Sequence, residues 1–320
     1  MAAALALSER GRGRTAPNPN VGCVIVRDGI VVGRGWTQPG GRPHAEAMAL
    51  AEAGAQAPGA TIFVTLEPCA HRSARGPACA DLLIGARPAR VIAAIEDPDP
   101  RTAGEGFARL RAAGIAVETG LLADEARRAM AGFLMRRAHG RPFVTLKLAT
   151  SLDGRIALAD GSSRWITGDA ARAHVHLERS RHEAILVGRG TWEADAPRLD
   201  VRLPGLEGRS PRRILLSSRH HSPSGGDDGE CIGGMDAIST LSGVDHLFVE
   251  GGAETAASFL RADLVDRLLL YRAPILIGAG KAALGDIGLT HLADAHGRWR
   301  MEDARMLGSD RFEAYLRQRN

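Results

Sequence analysis

The sequence predicts an α/β protein of two domains, and three observations carry that expectation. Its 320 residues exceed the roughly 100–200 of a single domain. Strand-like and helix-like segments alternate through both halves. The composition, 44% apolar and 24% charged with 39 glycines and 16 prolines, is that of a folded chain with many tight connections.

The elements follow in order. Val21–Val26 and Ile30–Val32 flank Asp28-Gly29, a strong hairpin signal. His44–Ala57 is Ala-rich with apolar residues at helical spacing, and Gly54 and Pro58 mark its end. Thr61–Leu66 is a β-branched, apolar strand cut off before Pro68. A helix Cys79–Gly85, a strand Val91–Ile95, and helices Gly106–Ala113 and Ala123–Arg137 complete the first half. His139-Gly140-Arg141-Pro142 breaks the pattern and sets the domain boundary near residue 141. The second half restarts with strands Phe143–Leu148, Ala184–Val187, Arg213–Ser217 and Leu247–Val249 and helices Ala170–Ser180 and Glu254–Arg261. The polar, Gly-rich stretch 217–234 has no periodicity and reads as a mobile surface loop.

Several function classes are excluded. No uncharged apolar run approaches the roughly 18 residues of a membrane span. MAAALALSERGRGRT places a short apolar stretch ahead of its arginines, the wrong order for a secretory signal, so a soluble, cytoplasmic protein is expected. The formal charge of +4 is scattered along the chain rather than gathered in a stripe with aromatics, which suits small anionic ligands better than nucleic acid. Of the 41 basic residues only Lys147 and Lys281 are lysine, a hint that a compact ammonium is wanted at those positions.

Four cysteines occur, Cys23, Cys69, Cys79 and Cys231. Without a secretory signal, a clustered pair suggests metal or catalysis rather than a disulfide. Cys23 lies in an apolar run and reads as a core thiol; Cys231 has no visible partner. Cys69 and Cys79 join His44, which opens a helix as His44-Ala45-Glu46. One imidazole and two thiolates make a three-ligand zinc set with a fourth position for water, whose pKa such a site lowers to about 7. Glu46 is then a proton shuttle between water and a leaving amine, the arrangement of zinc deaminases. A structural zinc site is disfavoured because it would need a fourth protein ligand, and the nearby His71 is only two residues from Cys69.

The ten-residue step from Cys69 to Cys79 resembles the deaminase half of the bifunctional riboflavin-biosynthesis deaminase–reductase family. So do Thr15-Ala16-Pro17-Asn18-Pro19-Asn20-Val21-Gly22 and Asp97-Pro98-Asp99-Pro100. The loop is one residue longer near Ser73–Ala74 than is typical of that family. The resemblance implies a cytidine-deaminase-like three-layer domain over residues 1–141, with Asn20 and His71 touching the pyrimidine or its phosphate side. Read without it, Asn18 and Asn20 are turn residues between prolines, and Asp97–Pro100 is another turn.

In the second half, Val249-Glu250-Gly251-Gly252 ends a strand and opens a helix, a geometry that can cradle a phosphate but is not the G-x-G-x-x-G fingerprint. Together with Lys147–Gly154, Ser163–Thr167, Gly188–Thr191 and Asp195-Ala196-Pro197, it resembles the reductase half of the same family. The resemblance implies a dihydrofolate-reductase-like domain over residues 142–320 that uses NADPH. It assigns Lys147, Ser163, Arg179, Leu199, Arg202 and Glu250 to the ribosyl-phosphate substrate. It assigns Ala149, Trp165, Thr191, Ser218 and a loop of Gly252, Ala253, Glu254, Thr255, Ala256, Ala257 and Ser258 to the cofactor, with Asp195 at the hydride-transfer centre. Ala196 and Ser217 stand where that family commonly has Asp, and Met130 where it has Asn.

The expected function is therefore zinc-dependent hydrolytic deamination of a diaminopyrimidinone ribosylamine phosphate. NADPH reduction of its ribosyl chain to ribityl follows in the second domain. Expected partners are the phosphorylated pyrimidine and further copies of the chain, as a dimer or tetramer, with neither nucleic acid nor membrane. The alternative is a single-function deaminase whose reductase half only binds.

Overall fold

The computed structural model describes residues 1–71, 75–219 and 229–319. The chain forms two compact units, Met1–Gly140 and Arg141–Asn320.

The first unit runs α1 (Ala2–Ser8), β1 (Gly22–Arg27), β2 (Ile30–Trp36), α2 (Ala45–Ala53), β3 (Thr61–Val64), α3 (Cys79–Ala86), β4 (Arg90–Ala93), α4 (Glu105–Ala112), β5 (Ala116–Thr119), α5 (Ala123–Ala129) and α6 (Ala131–His139). Its sheet has the order β2-β1-β3-β4-β5, with β1 antiparallel to β2 and β3 and the remaining pairs parallel. Asp28 and Gly29 both take positive φ, 51° and 77°, the two-residue turn whose twist matches the hairpin.

Helix α2 lies directly on β2 because Gly33 and Gly35 carry no side chain. A Cβ on either would sit 2.2 Å from the Ala49 carbonyl oxygen or 2.0 Å from that of Ala45. The face of α2 turned inward is small, Ala45, Ala49 and Ala53, and it carries Glu46 into the interior with it. Ala, Val, Ile and Leu make up most of the core between helices and sheet, with Phe107 and Phe133 as its aromatics.

The single helix expected over 123–137 is two helices that break at Met130 (φ −105°, ψ 20°). No local breaker accounts for this. Asn20 does: its amide donates to the carbonyls of Ser8 at 3.3 Å and Ala129 at 3.1 Å, the last residues of α1 and α5. Helix-end carbonyls lack intrahelical partners, and one buried side chain serves two of them.

The second unit runs β6 (Phe143–Thr150), β7 (Arg155–Ala157), α7 (Asp169–Arg179), β8 (Ala184–Gly188), α8 (Arg189–Asp195), β9 (Arg212–Leu216), β10 (Glu230–Ile232), β11 (His246–Val249), α9 (Ala253–Arg261), β12 (Arg267–Arg272), β13 (Lys281–Ala282), β14 (Trp299–Leu307) and β15 (Asp310–Arg317). Eight strands form one sheet in the order β10-β9-β8-β11-β6-β12-β15-β14. It is parallel from β10 to β12, and β15 and β14 then add antiparallel. The central strands β8 and β11 are buried along their whole length, as unbroken apolar runs in a covered parallel sheet must be. Arg141 belongs to this unit through a two-pronged bond to Asp266, which also accepts the Val144 N–H.

The stretch 217–234 is not wholly a loop. Glu230–Ile232 pairs parallel with Ile214–Leu216 as an edge strand, too short to leave a periodic signature. The expected mobility of residues 220–228 concerns positions outside the described residues.

Candidate metal centre and reductase site

His44 occupies the extended N-cap position of α2, and Cys79 is the first residue of α3. Cys69 follows β3 and comes back against α3, where the Cys79 N–H donates to its Sγ at 3.3 Å. The His44 Nδ1 lies 3.3 Å from Cys79 Sγ and 3.6 Å from Cys69 Sγ, and the three ligand atoms lie within 4.8 Å of one another. Zinc bonds of about 2.0 Å to nitrogen and 2.3 Å to sulfur place tetrahedral N and S ligands about 3.6 Å apart. The donor set and its spacing therefore fit zinc. The hydrogen bond from Cys79 holds the Cys69 thiol far below its usual range, at about 4, against the opposing effect of burial. Glu46 is 3% exposed; burial pushes its carboxyl up, and it hydrogen-bonds Cys79.

Asn20 is not at this site. Its amide nitrogen is spent on two helix ends, so the expected pyrimidine contact is replaced by a structural staple. Asn18, read above as a turn residue, is at the site. Its amide nitrogen lies 3.0 Å from His44 Nε2 and donates to the Gly41 carbonyl at 2.7 Å. It lies against the imidazole edge opposite the thiols; with Nδ1 turned to the metal position Nε2 carries the ring proton, so the amide nitrogen is a neighbour of that edge and not its hydrogen-bond acceptor.

His71 stays out of the ligand set and meets the Thr102 hydroxyl at 3.3 Å. Thr102 comes from the segment after β4, which Glu67 holds: its carboxylate accepts the N–H groups of Asp97, Gly104 and Phe107 at 3.2, 3.0 and 3.1 Å. Asp97–Pro100 is thus a turn, but a clamped one. Burial raises the Asp97 carboxyl to about 6. Nothing in the sequence marked Glu67 beyond its place between a strand and Pro68.

In the second unit the candidate residues gather at the carboxyl ends of the parallel strands, where open α/β sheets bind ligands. Lys147 and Ala149 alternate on β6 and so share a face. Glu250 follows β11 and meets Arg179, from the last turn of α7, at 2.6 and 3.1 Å. Lys147 Nζ lies 3.7 Å from the same carboxylate. Burial opposes ionisation of Glu250, but Arg179 and Lys147 outweigh it and hold its carboxyl at about 2. Arg179 also donates to the Asp200 carbonyl at 3.0 Å. Arg202 extends from the same strap, its Nε 3.5 Å from Asp200.

The loops after β8 and β11 touch: the Gly252 N–H donates to Thr191 Oγ1 at 3.1 Å. Gly188 at the end of β8 makes this approach possible, since a Cβ there would sit 2.1 Å from Thr255 Oγ1. Asp195 ends α8, half-exposed, with its carbonyl accepting from Arg164 at 3.1 Å and its carboxylate 3.6 Å from the same guanidinium. Trp165 is 66% exposed beneath the Arg172 guanidinium. Ser163 is half-buried two residues before it, and Ser218 is exposed past the end of β9.

Two expectations are corrected. Residues 253–258 are the opening turns of α9, not a loop, and Ala256 and Ala257 are buried among core side chains. Only Gly252, Ala253, Glu254, Thr255 and Ser258 keep exposed or half-exposed surface there. Leu199 is also buried, packed with Ala171, Val175 and Phe312, so its side chain faces the core. What it offers the site is its backbone, bent into the left-handed region at φ 55°.

The comparisons with known proteins divide the chain in the same way. Residues 1–95 match the model of the cytidine and deoxycytidylate deaminase zinc-binding region. Residues 142–227 and 235–310 match that of the RibD C-terminal domain. The riboflavin biosynthesis protein RibD of Escherichia coli is 40% identical over 97% of this chain and 96% of its own; that of Mycobacterium tuberculosis is 40% identical over 97% and 94%. Among solved structures, Acinetobacter baumannii RibD superposes with a TM-score of 0.90 at 35% identity, covering 99% of this chain and 98% of that one. The Thermotoga maritima diaminohydroxyphosphoribosylaminopyrimidine deaminase/5-amino-6-(5-phosphoribosylamino)uracil reductase does so with 0.87 at 31%, covering 99% and 97%. A His/Cys/Cys centre in a deaminase fold, followed by a reductase fold and shared along nearly the whole length with these proteins, places the chain in the RibD family of bifunctional riboflavin biosynthesis enzymes.

Proposed function

We propose that residues 1–141 deaminate a 2,5-diamino-6-ribosylaminopyrimidinone 5′-phosphate and residues 142–320 reduce the ribosyl chain of the product to ribityl. The observation that carries this reading is the presence, in one chain, of a three-donor metal centre beside a buried carboxylate and of a second, cationic cluster at a parallel-sheet edge.

In the first reaction a water oxygen replaces the exocyclic amine, which leaves as ammonia. His44, Cys69 and Cys79 would hold zinc, which would supply the Lewis acidity that makes water a nucleophile at neutral pH. Glu46 moves the proton from water to the leaving amine. Asn18, anchored on the Gly41 carbonyl, lies against the His44 ring, and His71, steadied by Thr102, meets the substrate.

For the second reaction NADPH, when bound, would supply the hydride that C1′ of the opened ribosylamine needs. Lys147, Glu250, Arg179, Arg202 and Ser163 bind the ribosyl phosphate. Glu250 takes the Nε and Nη2 face of Arg179, which fixes the guanidinium plane and leaves its remaining Nη hydrogens for an anion. Asp195 and Lys147 are the groups that can deliver the accompanying proton. Ala149, Trp165, Thr191, Ser218 and the start of α9 from Gly252 to Thr255 would hold the cofactor, the helix start offering the N–H groups that suit an anion.

A second reading, deamination alone with a binding-only reductase half, draws on Ala196. This residue sits at φ 40° directly after Asp195, a conformation that Asp or Asn adopts more readily. The chain is further proposed to form a homo-oligomer; Met301 and Met306 lie exposed on the edge strand β14. No helix among the described residues is long and apolar enough to cross a membrane.

Glu46→Gln separates the two activities. It is expected to abolish deamination while the protein keeps zinc and still reduces the deaminated substrate. Retained deamination would refute the role of Glu46; loss of both activities in folded protein would refute two independent sites.

A further inference from the structure

Helix α7 presents two polar side chains to the strap between α8 and β9, and only one of them, Arg179, has a role so far. His176 lies one turn earlier on the same face. Its Nδ1 is 3.0 Å from the Asp200 carbonyl and 3.3 Å from the Arg202 N–H. The Asp200 carbonyl is also the one that takes the Arg179 Nη1–H. His176 and Arg179 therefore close on a single peptide of the strap from opposite ends of one helical turn.

We propose that His176 is a positioning residue for the substrate anion: it fixes the backbone of Asp200–Arg202 so that Arg202 and Arg179 converge. This rests on the reading of Arg179 and Arg202 as the ribosyl-phosphate ligands.

The strap needs such a support. It carries no regular structure from Pro197 to Leu206, and it includes Leu199 in the left-handed region. Its own charges pull the other way. Asp200 engages Arg198 at 2.7 Å and, through its buried Oδ1, Arg202 at 3.5 Å, and that oxygen has no hydrogen-bond partner among the described residues. These contacts already turn the Arg202 side chain toward Asp200, so a ligand anion has to draw it away from a strap whose backbone stays in place. A backbone bond from the neighbouring helix constrains the strap without neutralising the arginine.

The chemistry at Nδ1 is specific. The Arg202 N–H needs a lone pair there, and a bond to the Asp200 carbonyl needs a proton there, so the ring serves one partner at a time. Burial and the nearby Arg179 and Arg202 lower the proton affinity of His176, against the pull of Glu250. The neutral ring is the state these surroundings favour, and the shorter contact, 3.0 Å to the Asp200 carbonyl against 3.3 Å to the Arg202 nitrogen, favours the tautomer with its proton on Nδ1.

The test uses the full-length zinc-loaded protein and steady-state reduction of the deaminated ribosylamino phosphate with saturating NADPH. His176→Leu removes the hydrogen bond at Nδ1 at similar bulk and is expected to raise the substrate KM about fivefold to tenfold, the effect of one lost hydrogen bond with a partner left unmet. The kcat should stay within about twofold because no reacting atom is touched. His176→Gln, whose amide offers both a donor and an acceptor, should restore KM to within about twofold. The deamination rate of the same chain reports folding of the other unit, and the thermal transition of the reductase unit reports its own. Equal KM for wild type and the Leu variant, or a Gln variant as impaired as Leu, would overturn the proposal. Should Leu unfold the unit, KM of the Gln variant against His176→Asn, whose shorter amide cannot reach the strap, decides by the same criterion. Arg179→Met separates the two layers. If it leaves KM unchanged, the phosphate reading fails; if it raises KM while His176→Leu does not, only the present inference fails.

Discussion

Replacing Glu250 with Gln tests the electrostatics of the reductase site most sharply. The carboxylate is 9% exposed and lies between Arg179, at 2.6 Å, and Lys147, at 3.7 Å. Its carboxyl falls from 4.5 to about 2 in the folded protein, which corresponds to roughly 3 kcal/mol of stabilisation at neutral pH. Removing one partner of a buried ion pair costs about 3–5 kcal/mol because the remaining charges stay buried. Glu250→Gln should therefore destabilise the second unit by about 3 kcal/mol at pH 7. The sign with pH follows from a lowered acid. The contribution is complete above pH 4.5 and is lost as pH falls from there toward 2, so wild type and variant should converge in acid. Urea unfolding followed by tryptophan fluorescence is the assay. Trp165, Trp192 and Trp299 lie in the second unit and Trp36 alone in the first, so the signal reports the unit in question. A variant as stable as wild type at pH 7, or a difference between them that persists unchanged at pH 3, would refute this account of the cluster.

Three further outcomes are expected. Burial raises the Asp97 carboxyl from 3.8 to about 6, so the first unit should lose up to about 2–3 kcal/mol of stability as pH rises from 4 through 6. Asp97→Asn should flatten that slope in unfolding titrations. Glu67→Ala strips three backbone N–H groups of their acceptor, at about 1–3 kcal/mol for each group left unmet. It should cut the deamination rate more than about tenfold, since that is roughly 1.4 kcal/mol in the barrier, with zinc content unchanged by metal analysis. Gly251→Ala forces a methyl to within 2.4 Å of Thr255 Cβ. It should cost about 1–3 kcal/mol of stability and weaken NADPH binding measured by fluorescence titration, leaving deamination intact.

The metal centre was legible in the sequence because its chemistry restricts residue types: one imidazole, two thiols and a carboxylate fill few other roles together. Element order was legible where periodicity is strong, as in the buried runs of β8 and β11. The failures have physical causes. Asn18 and Asn20 are the same residue type two positions apart, and only tertiary contacts decide which amide faces His44 and which is spent on the ends of α1 and α5. That second amide also accounts for the break at Met130, which no local signal announces. Ala256, Ala257 and Leu199 sit in stretches that pass the site, and their side chains turn to the core where helical phase or a left-handed residue sends them. Glu67 and His176 act through backbone groups distant in sequence, and such pairings leave no spacing to read.

The most direct test of the central claim is to incubate the zinc-loaded full-length protein with the diaminopyrimidinone ribosylamine 5′-phosphate, with and without NADPH, and to follow the products by mass spectrometry. Two active sites in series predict a product about one mass unit heavier without NADPH, where =O replaces =NH, and about two mass units heavier again when NADPH delivers hydride and a proton follows. Deamination with no further gain in the presence of NADPH would contradict the reductase assignment, and no product from zinc-loaded protein would contradict the substrate class itself.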